Sequence, residues 1–158
     1  MLSDVITMKK FIKKLAQILA VISICVILCI VSVKAVRFNA KLKTFQYVKS
    51  HSQQLTLEAE TVIEKGVHTH HQYEDTTVIY YPSANYPIVE FSMGGFGIAP
   101  AGYYTGFYYS PEDIPVRYNG SGTAMEEHKN GWTYQEKGDN GGYTEKICDN
   151  WYWYKFWY

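Results

Sequence analysis

Hydrophobic positions follow three different patterns along the chain, and the first is an uninterrupted apolar run. The nineteen residues from Leu15 to Val33, LAQILAVISICVILCIVSV, include no charged side chain. As an α-helix this run would be about 28 Å long, close to the roughly 30 Å of a bilayer's hydrocarbon core. We therefore expect a transmembrane helix over 15–33, preceded by a basic cytoplasmic tail over 1–14.

A cleaved signal peptide is the alternative interpretation of this run. A basic region lies ahead of it between Lys9 and Lys14, and Val33-Lys34-Ala35 resembles a cleavage site. However, the run exceeds the roughly 7–15 apolar residues of a signal peptide, and the cleavage site carries a lysine. We favour an uncleaved anchor. Because long C-terminal domains cross a membrane largely regardless of charge, we expect the N-terminus inside the cell and the C-terminal domain outside.

The second pattern is a narrow apolar stripe at helical spacing. Its members recur at steps of three and four residues: Phe38, Leu42, Phe45, Val48, Ser52, Leu55, Ala59 and Val62. This spacing predicts a juxtamembrane amphipathic helix over 34–66, whose stripe packs on the domain behind it and whose end is marked by Gly66. The segment QLTLEAETVI also alternates as a strand would, but the longer periodicity favours a helix.

The third pattern is short runs of β-branched and aromatic residues between turn signals, and it occupies 67–158. Strands are predicted at TTVIYY (76–81), YPIVEFSM (86–93) and GYYTGFYYS (102–110). Hairpins are predicted around Asn130-Gly131 and Asp149-Asn150. We expect an antiparallel meander of five to seven strands. The predicted fold class is thus α+β, with an N-terminal transmembrane helix continuing into an amphipathic helix packed on a small antiparallel β-sheet.

The last eight residues, WYWYKFWY, contain seven aromatic rings. In a strand, Trp151, Trp153, Lys155 and Trp157 share one face, and Tyr152, Tyr154, Phe156 and Tyr158 share the other. A strand that is apolar on both faces is typical of the centre of a sheet, here covered by the helix on one side and by loops on the other. Two alternatives are an exposed stacking platform for sugars or an apolar partner, and a membrane-interface belt.

A glycine-rich segment, GGFGIAPAGYYTGFYYSPED over 94–113, raises the question of a phosphate-binding loop. A dinucleotide loop requires G-x-G-x-x-G between a strand and a helix, but Pro100 stands where the third glycine belongs, and a tyrosine-rich strand follows. We interpret these glycines as a bulge or wide turn between two strands, closed by Pro100.

Charge divides the chain in two and limits its partners. Residues 1–43 carry eight basic residues against one acidic residue, a net charge of +7, and residues 44–158 carry seven against fourteen, a net charge of −7. An acidic domain without clustered Lys and Arg is poorly suited to nucleic acid. The expected partners are the lipid bilayer, through 15–33, and a protein or glycan at an aromatic surface.

Sequence signals for catalysis are weak. The chain has no G-x-S-x-G, and His68, His70 and His71 lack the further ligands that a zinc site needs. We predict no catalytic residue, no metal and no cofactor. The ligand-binding candidates are aromatic and acidic side chains: Tyr104, Tyr108, Glu112, Asp113 and Trp153.

Two segments, YTGFYYSPEDIPVRYNG (104–120) and YTEKICDNWYWYKFWY (143–158), carry a resemblance. Together with the basic N-terminus and the single span, they resemble small uncharacterised single-pass membrane proteins of Gram-positive bacteria. The resemblance implies a membrane anchor and an envelope location, and it implies no particular chemistry. In layout the chain is also similar to type IV pilins, although the glycine and glutamate of the pilin processing site are missing.

These observations favour a non-enzymatic binding or accessory module of the bacterial envelope. One alternative is an envelope hydrolase that acts on a cell-wall polymer through Glu112 or Asp113. Another is a pilin-like assembly subunit. The placement of the two carboxylates separates the first alternative from a binding module, because hydrolysis requires them to converge with a second acid or a histidine in a cleft.

Overall fold

The computed structural model describes the backbone of residues 2–98 and 101–158, and the side chains of these residues except 2–12, 15, 16, 96, 98 and 101. Within that part of the chain, one long helix precedes eight strands. The helix is α1 (Leu2–Lys65). The strands are β1 (Thr69–Tyr73), β2 (Thr76–Tyr80), β3 (Val89–Ile98), β4 (Ala101–Tyr109), β5 (Glu126–His128), β6 (Gly131–Gln135), β7 (Gly141–Cys148) and β8 (Trp151–Trp157). The fold is α+β, as predicted.

The chain divides into two compact units, Met1–Leu42 and Lys43–Tyr158. The first unit is helical and contains the apolar run, whose described side chains are exposed. Ser23 and Ser32 donate their hydroxyls to the carbonyls of Leu19 and Leu28, at 2.9 and 2.8 Å. One helix in the described part of the chain, Gln17–Lys65, is long and apolar enough to cross a membrane. It is compatible with a single-pass anchor, and a signal sequence near the N-terminus would have the same properties.

In the second unit, α1 packs its stripe on the sheet. Val48, Leu55, Ala59 and Val62 are buried there, which confirms the predicted helix and its packing. By contrast Phe38 and Leu42, which belong to the same stripe, are 61% and 43% exposed. The helix ends at Lys65. Gly66 follows with a φ of +60°, and its N–H donates to the carbonyl of Ile63 at 3.0 Å.

The sheet is antiparallel, with the order β1-β2-β3-β4-β8-β7-β6-β5. This order corrects the predicted single meander of five to seven strands. The chain makes one meander over β1–β4, crosses along residues 110–125, and makes a second over β5–β8, so that β8 returns beside β4. Local patterns cannot show this return, because it depends on pairing between distant strands. β1 (THHQY) was not predicted as a strand, because a strand at the exposed edge of a sheet requires few apolar side chains.

β8 is a central strand, as predicted, and both faces of the sheet around it are covered. One face packs on α1 through the helix-face cluster: Val48, Leu55, Ala59, Val62, Val78, Tyr80, Val89, Phe91, Phe107, Tyr109, Ile147 and Trp151. The other packs beneath residues 110–125, which we name the cover loop, through the loop-face cluster: Ile88, Tyr108, Val116, Tyr152, Tyr154 and Phe156.

The glycine-rich segment lies in the β3–β4 hairpin. The pairing register shifts between Ser92 and Gly95, which confirms a bulge, but β3 continues to Ile98, so residues 95–98 pair with β4 instead of forming a wide turn. Pro100, predicted to close the turn, lies outside the described residues. Gly106 is required by close packing, because a Cβ there would lie 2.4 Å from the backbone oxygen of Phe91.

Candidate functional site

The cover loop carries Glu112 and Asp113, and side-chain oxygens of the sheet beneath it and of Ser110 in the loop supply hydrogen-bond acceptors that hold it. Four loop N–H groups donate to side-chain oxygens rather than to backbone carbonyls. They are Ile114 to Ser110 Oγ at 3.3 Å, Val116 to the Tyr108 hydroxyl at 2.9 Å, Tyr118 to the Tyr134 hydroxyl at 3.2 Å, and Asn119 to Glu90 Oε1 at 2.9 Å. A loop laid on a buried surface needs such partners, because an unpaired buried N–H is costly.

Asp113 fastens this loop to the β7–β8 hairpin. Its Oδ2 accepts from Lys146 Nζ at 2.6 Å, and its Oδ1 accepts from the Asn150 N–H at 2.8 Å and the Tyr152 hydroxyl at 3.1 Å. Partial burial acts to raise the pKa of the Asp113 carboxyl, but these hydrogen bonds outweigh it and lower the pKa. The carboxylate therefore stays charged and engaged. Glu112, beside it, is exposed.

Tyr108 and Asp113 lie on either side of Tyr152. The Tyr108 ring stacks on the Tyr152 ring with centroids 5.2 Å apart, and the Tyr152 hydroxyl also donates to the Asp113 carbonyl at 2.7 Å. Tyr108 is only 1% exposed, and its hydroxyl lies 3.0 Å from Thr144 Oγ1. Its ring is thus part of the buried packing and is not presented at the surface.

The two remaining candidates lie apart from this group. Tyr104 is 41% exposed and stacks on Phe156 with centroids 5.5 Å apart, near the end of the sheet. Trp153 is half-buried and packs against the helix-face cluster on the opposite face. The five predicted residues therefore do not converge on one cleft in the described structure.

Glu90 is a buried acid that the sequence analysis did not select. It is 3% exposed, and burial raises the pKa of its carboxyl to about 7, against the opposing effect of the hydrogen bond from Asn119. Its Oε2 has no hydrogen-bond partner among the described residues. The alternation of VEF at the start of β3 was the available signal, since it places Glu90 on the face opposite to Val89 and Phe91.

The surroundings of Glu90 suit proton uptake better than substrate chemistry. The cavity beside it has a volume of about 10 Å³, which is room for roughly one water molecule. Its described lining consists largely of tyrosines and apolar side chains, together with Arg117 and Lys155, and includes no second acid. Burial also raises the pKa of the neighbouring Tyr134 hydroxyl, to about 12. A general acid must reach its substrate, and this cavity admits none.

A larger, open groove of about 480 Å³ lies beside the cover loop. Its lining includes Arg117, Glu126 and Gln135, and Glu126 is the one acid among its described lining residues. Hydrolysis of a glycosidic bond usually employs two carboxyl groups on either side of it. No such pair lines this groove in the described structure.

The histidines near β1 take part in separate surface contacts. His71 Nε2 lies 3.1 Å from Glu58 Oε1, and the His68 ring packs against Tyr81 with centroids 4.9 Å apart. Within residues 2–98 and 101–158, the described side chains form no group of three or more His, Cys, Asp or Glu that is placed to hold a metal ion.

Comparison of the chain with protein-family models, with curated proteins and with solved structures gave no match.

Proposed function

We propose that this chain is a single-pass, membrane-anchored binding or accessory module of the bacterial envelope, with its domain outside the cell and without catalytic activity of its own. The observation that carries the proposal is the exposed apolar stretch of α1. A long helix with apolar side chains on all sides is suited to lipid rather than to water. The serines inside this stretch satisfy their hydroxyls on its own backbone, as an apolar solvent requires.

The acids of the domain support a binding or accessory role over hydrolysis. Asp113 is engaged by Lys146, Asn150 and Tyr152, and Glu90 is enclosed beside a cavity of about 10 Å³. Glu112 is exposed, and the described structure places it in neither of the cavities above. This arrangement supplies structural acceptors rather than an acid and base converging on a substrate.

Carbonate washing of membranes from cells that express the full chain tests the anchor. We expect the protein to stay with the membrane and to keep the mass of the uncleaved chain. A variant with Ile22→Lys and Leu28→Lys is the matched control, and it should be released, because two charges in the run strongly disfavour insertion. Recovery of a soluble wild-type chain beginning at Val36 would show a cleaved signal and overturn the anchor.

Protease added to wall-stripped cells tests the orientation. If the domain is outside the cell, we expect the protease to degrade residues 67–158 before the cells are lysed. If these residues survive until lysis, the domain lies in the cytoplasm. A third assay incubates the protein with purified cell-wall polymer. If the wild type releases fragments and Glu112→Gln does not, the hydrolase interpretation replaces the binding module.

A further inference from the structure

Within the unit Lys43–Tyr158, contacts along α1 define which end of the sheet the chain enters first. Thr44 Oγ1 donates to Met93 Sδ at 3.4 Å, at the bulge of β3. Further along the helix, Glu60 Oε1 accepts from the Tyr109 hydroxyl at 3.5 Å, at the far end of β4. The entry end of the domain is therefore the end where Met93 lies, and Tyr109 marks the opposite end.

Exposed aromatic and apolar side chains lie at this entry end. Met93, Tyr104 and Tyr158 are 46%, 41% and 41% exposed. The rings of Tyr104 and Tyr158 meet edge-on with centroids 5.7 Å apart, and the Tyr158 N–H donates to the carbonyl of Gly102 at 3.1 Å. Hydrogen-bonded pairing thus holds these exposed rings at the end of β4 and β8. We name these three exposed residues, together with the half-buried Tyr103 and Lys155, the entry-end cluster.

The composition of this cluster matches the interfacial region of a bilayer. Tyrosine rings are enriched there because one end of the side chain is apolar and the other is polar. Lys155 places its Nζ 4.8 Å from the centroid of the Tyr103 ring. The charged tip of this lysine thus lies over an aromatic ring, and lysines are favoured at membrane interfaces because they combine an apolar stem with a charged tip.

The length of the chain between the apolar run and the domain limits how far the cluster can lie from the membrane. Ten residues, 34–43, separate the proposed span from the point where the chain enters the domain. They extend about 15 Å as a helix and about 35 Å at most when fully extended. Because the domain carries a net charge of −7, attraction to anionic headgroups is not the driving force, and the contact must come from the rings and apolar surface.

We propose that the entry-end cluster rests in the interfacial region of the same membrane that holds the apolar run, so that the domain docks on the bilayer in a fixed orientation. This inference rests on the proposed anchor. It goes beyond the anchor, because an anchored domain need not contact the membrane surface.

Site-directed spin labelling of the full chain tests this orientation. The protein, with Cys25, Cys29 and Cys148 replaced by Ser, is reconstituted in vesicles of phosphatidylcholine and phosphatidylglycerol. A nitroxide is placed at Tyr104→Cys or at Met93→Cys in the cluster. Ser83→Cys, exposed beyond the opposite end of the sheet, is the matched control, and Ile24→Cys reports on the anchor.

The readout is collision of the nitroxide with oxygen, which concentrates in lipid, against collision with a water-soluble nickel chelate. We expect labels at 104 and 93 to show an oxygen-to-nickel ratio several-fold above that of the label at 83. Equal ratios at 104, 93 and 83, with the label at 24 in lipid, would overturn docking and leave the anchor standing. Immobile labels at 104 and 93 that meet neither reagent would indicate a protein contact instead and also overturn it. A label at 24 that collides with the nickel chelate would contradict the anchor itself.

Discussion

The two faces of the sheet are covered in different ways. The helix face packs on α1 through the helix-face cluster, and the backbone N–H and C=O groups of α1 are paired within the helix itself. The loop face lies beneath a segment that is irregular apart from one 3-10 turn at Tyr118–Gly120, and it presents oxygens from Tyr108, Tyr134 and Glu90 to N–H groups of that segment.

This difference explains why the side-chain oxygens that accept from backbone N–H groups of the covering segment lie on the loop face. A helix needs only apolar partners, whereas an irregular segment needs an acceptor for each buried N–H. Glu90 is such an acceptor for the Asn119 N–H, and Asp113, within the loop, accepts from the Asn150 N–H of the β7–β8 turn. Both hold the cover loop, one from the sheet below and one from within the loop.

The largest effect is expected from a cavity on the helix face. Leu55 is fully buried in the helix-face cluster, and Leu55→Ala should lower the free energy of unfolding by about 2–5 kcal/mol. Leu57→Ala is the matched control on the same helix, because Leu57 is 67% exposed and should change stability little. Thermal unfolding of the full chain in detergent micelles measures both. Equal melting temperatures for the two variants would contradict the packing of this face.

A pH-dependent effect of comparable size is expected on the loop face. The pKa of Glu90 is about 7 in the folded protein, against 4.5 for an unperturbed glutamate, so the folded state binds the proton more tightly. This stabilisation is fully present below about pH 4.5 and is lost as pH rises through 7, a change of about 3 kcal/mol. Nearby hydroxyls of Tyr108, Tyr118 and Tyr154 have raised pKa values and stay neutral across this window.

Glu90→Gln should remove this pH dependence while keeping an acceptor for the Asn119 N–H. Unfolding by urea at several pH values between 4 and 8 measures the slope, and the exposed Glu112→Gln should leave it as in the wild type. A Glu90→Gln protein that still loses stability across this window would show that another group titrates.

A smaller effect is expected from removing one acceptor. Tyr108→Phe keeps the stacked ring but leaves the buried Val116 N–H and Thr144 hydroxyl without this partner, at a cost of about 1–3 kcal/mol. Tyr104→Phe, on the same strand and face but 41% exposed, is the matched control and should be nearly neutral. Urea unfolding measures the free energy of unfolding of both variants. Similar decreases for the two would indicate that the Tyr108 hydroxyl does not support the loop.

The main elements could be predicted because each follows from a local pattern. Apolar or small residues at steps of three and four predicted the helix over 34–66, and aromatic residues on both faces predicted β8 as a central strand. The return of β8 beside β4 could not be predicted, because the cover loop that permits it has no periodic pattern. Glu90 was missed for a related reason: a lone acid in an apolar strand shows its role only when the segment above it is known.

The most direct test of the claim that these acids are structural acceptors is amide hydrogen exchange of the full chain in micelles. The N–H groups of Ile114, Val116, Tyr118 and Asn119 lie outside any strand or α-helix, and side-chain oxygens accept all four. We expect them to exchange far more slowly than unstructured amides, and Glu90→Ala to speed exchange most at Asn119. Exchange of all four at the rate of an unfolded chain in the wild type would contradict the account.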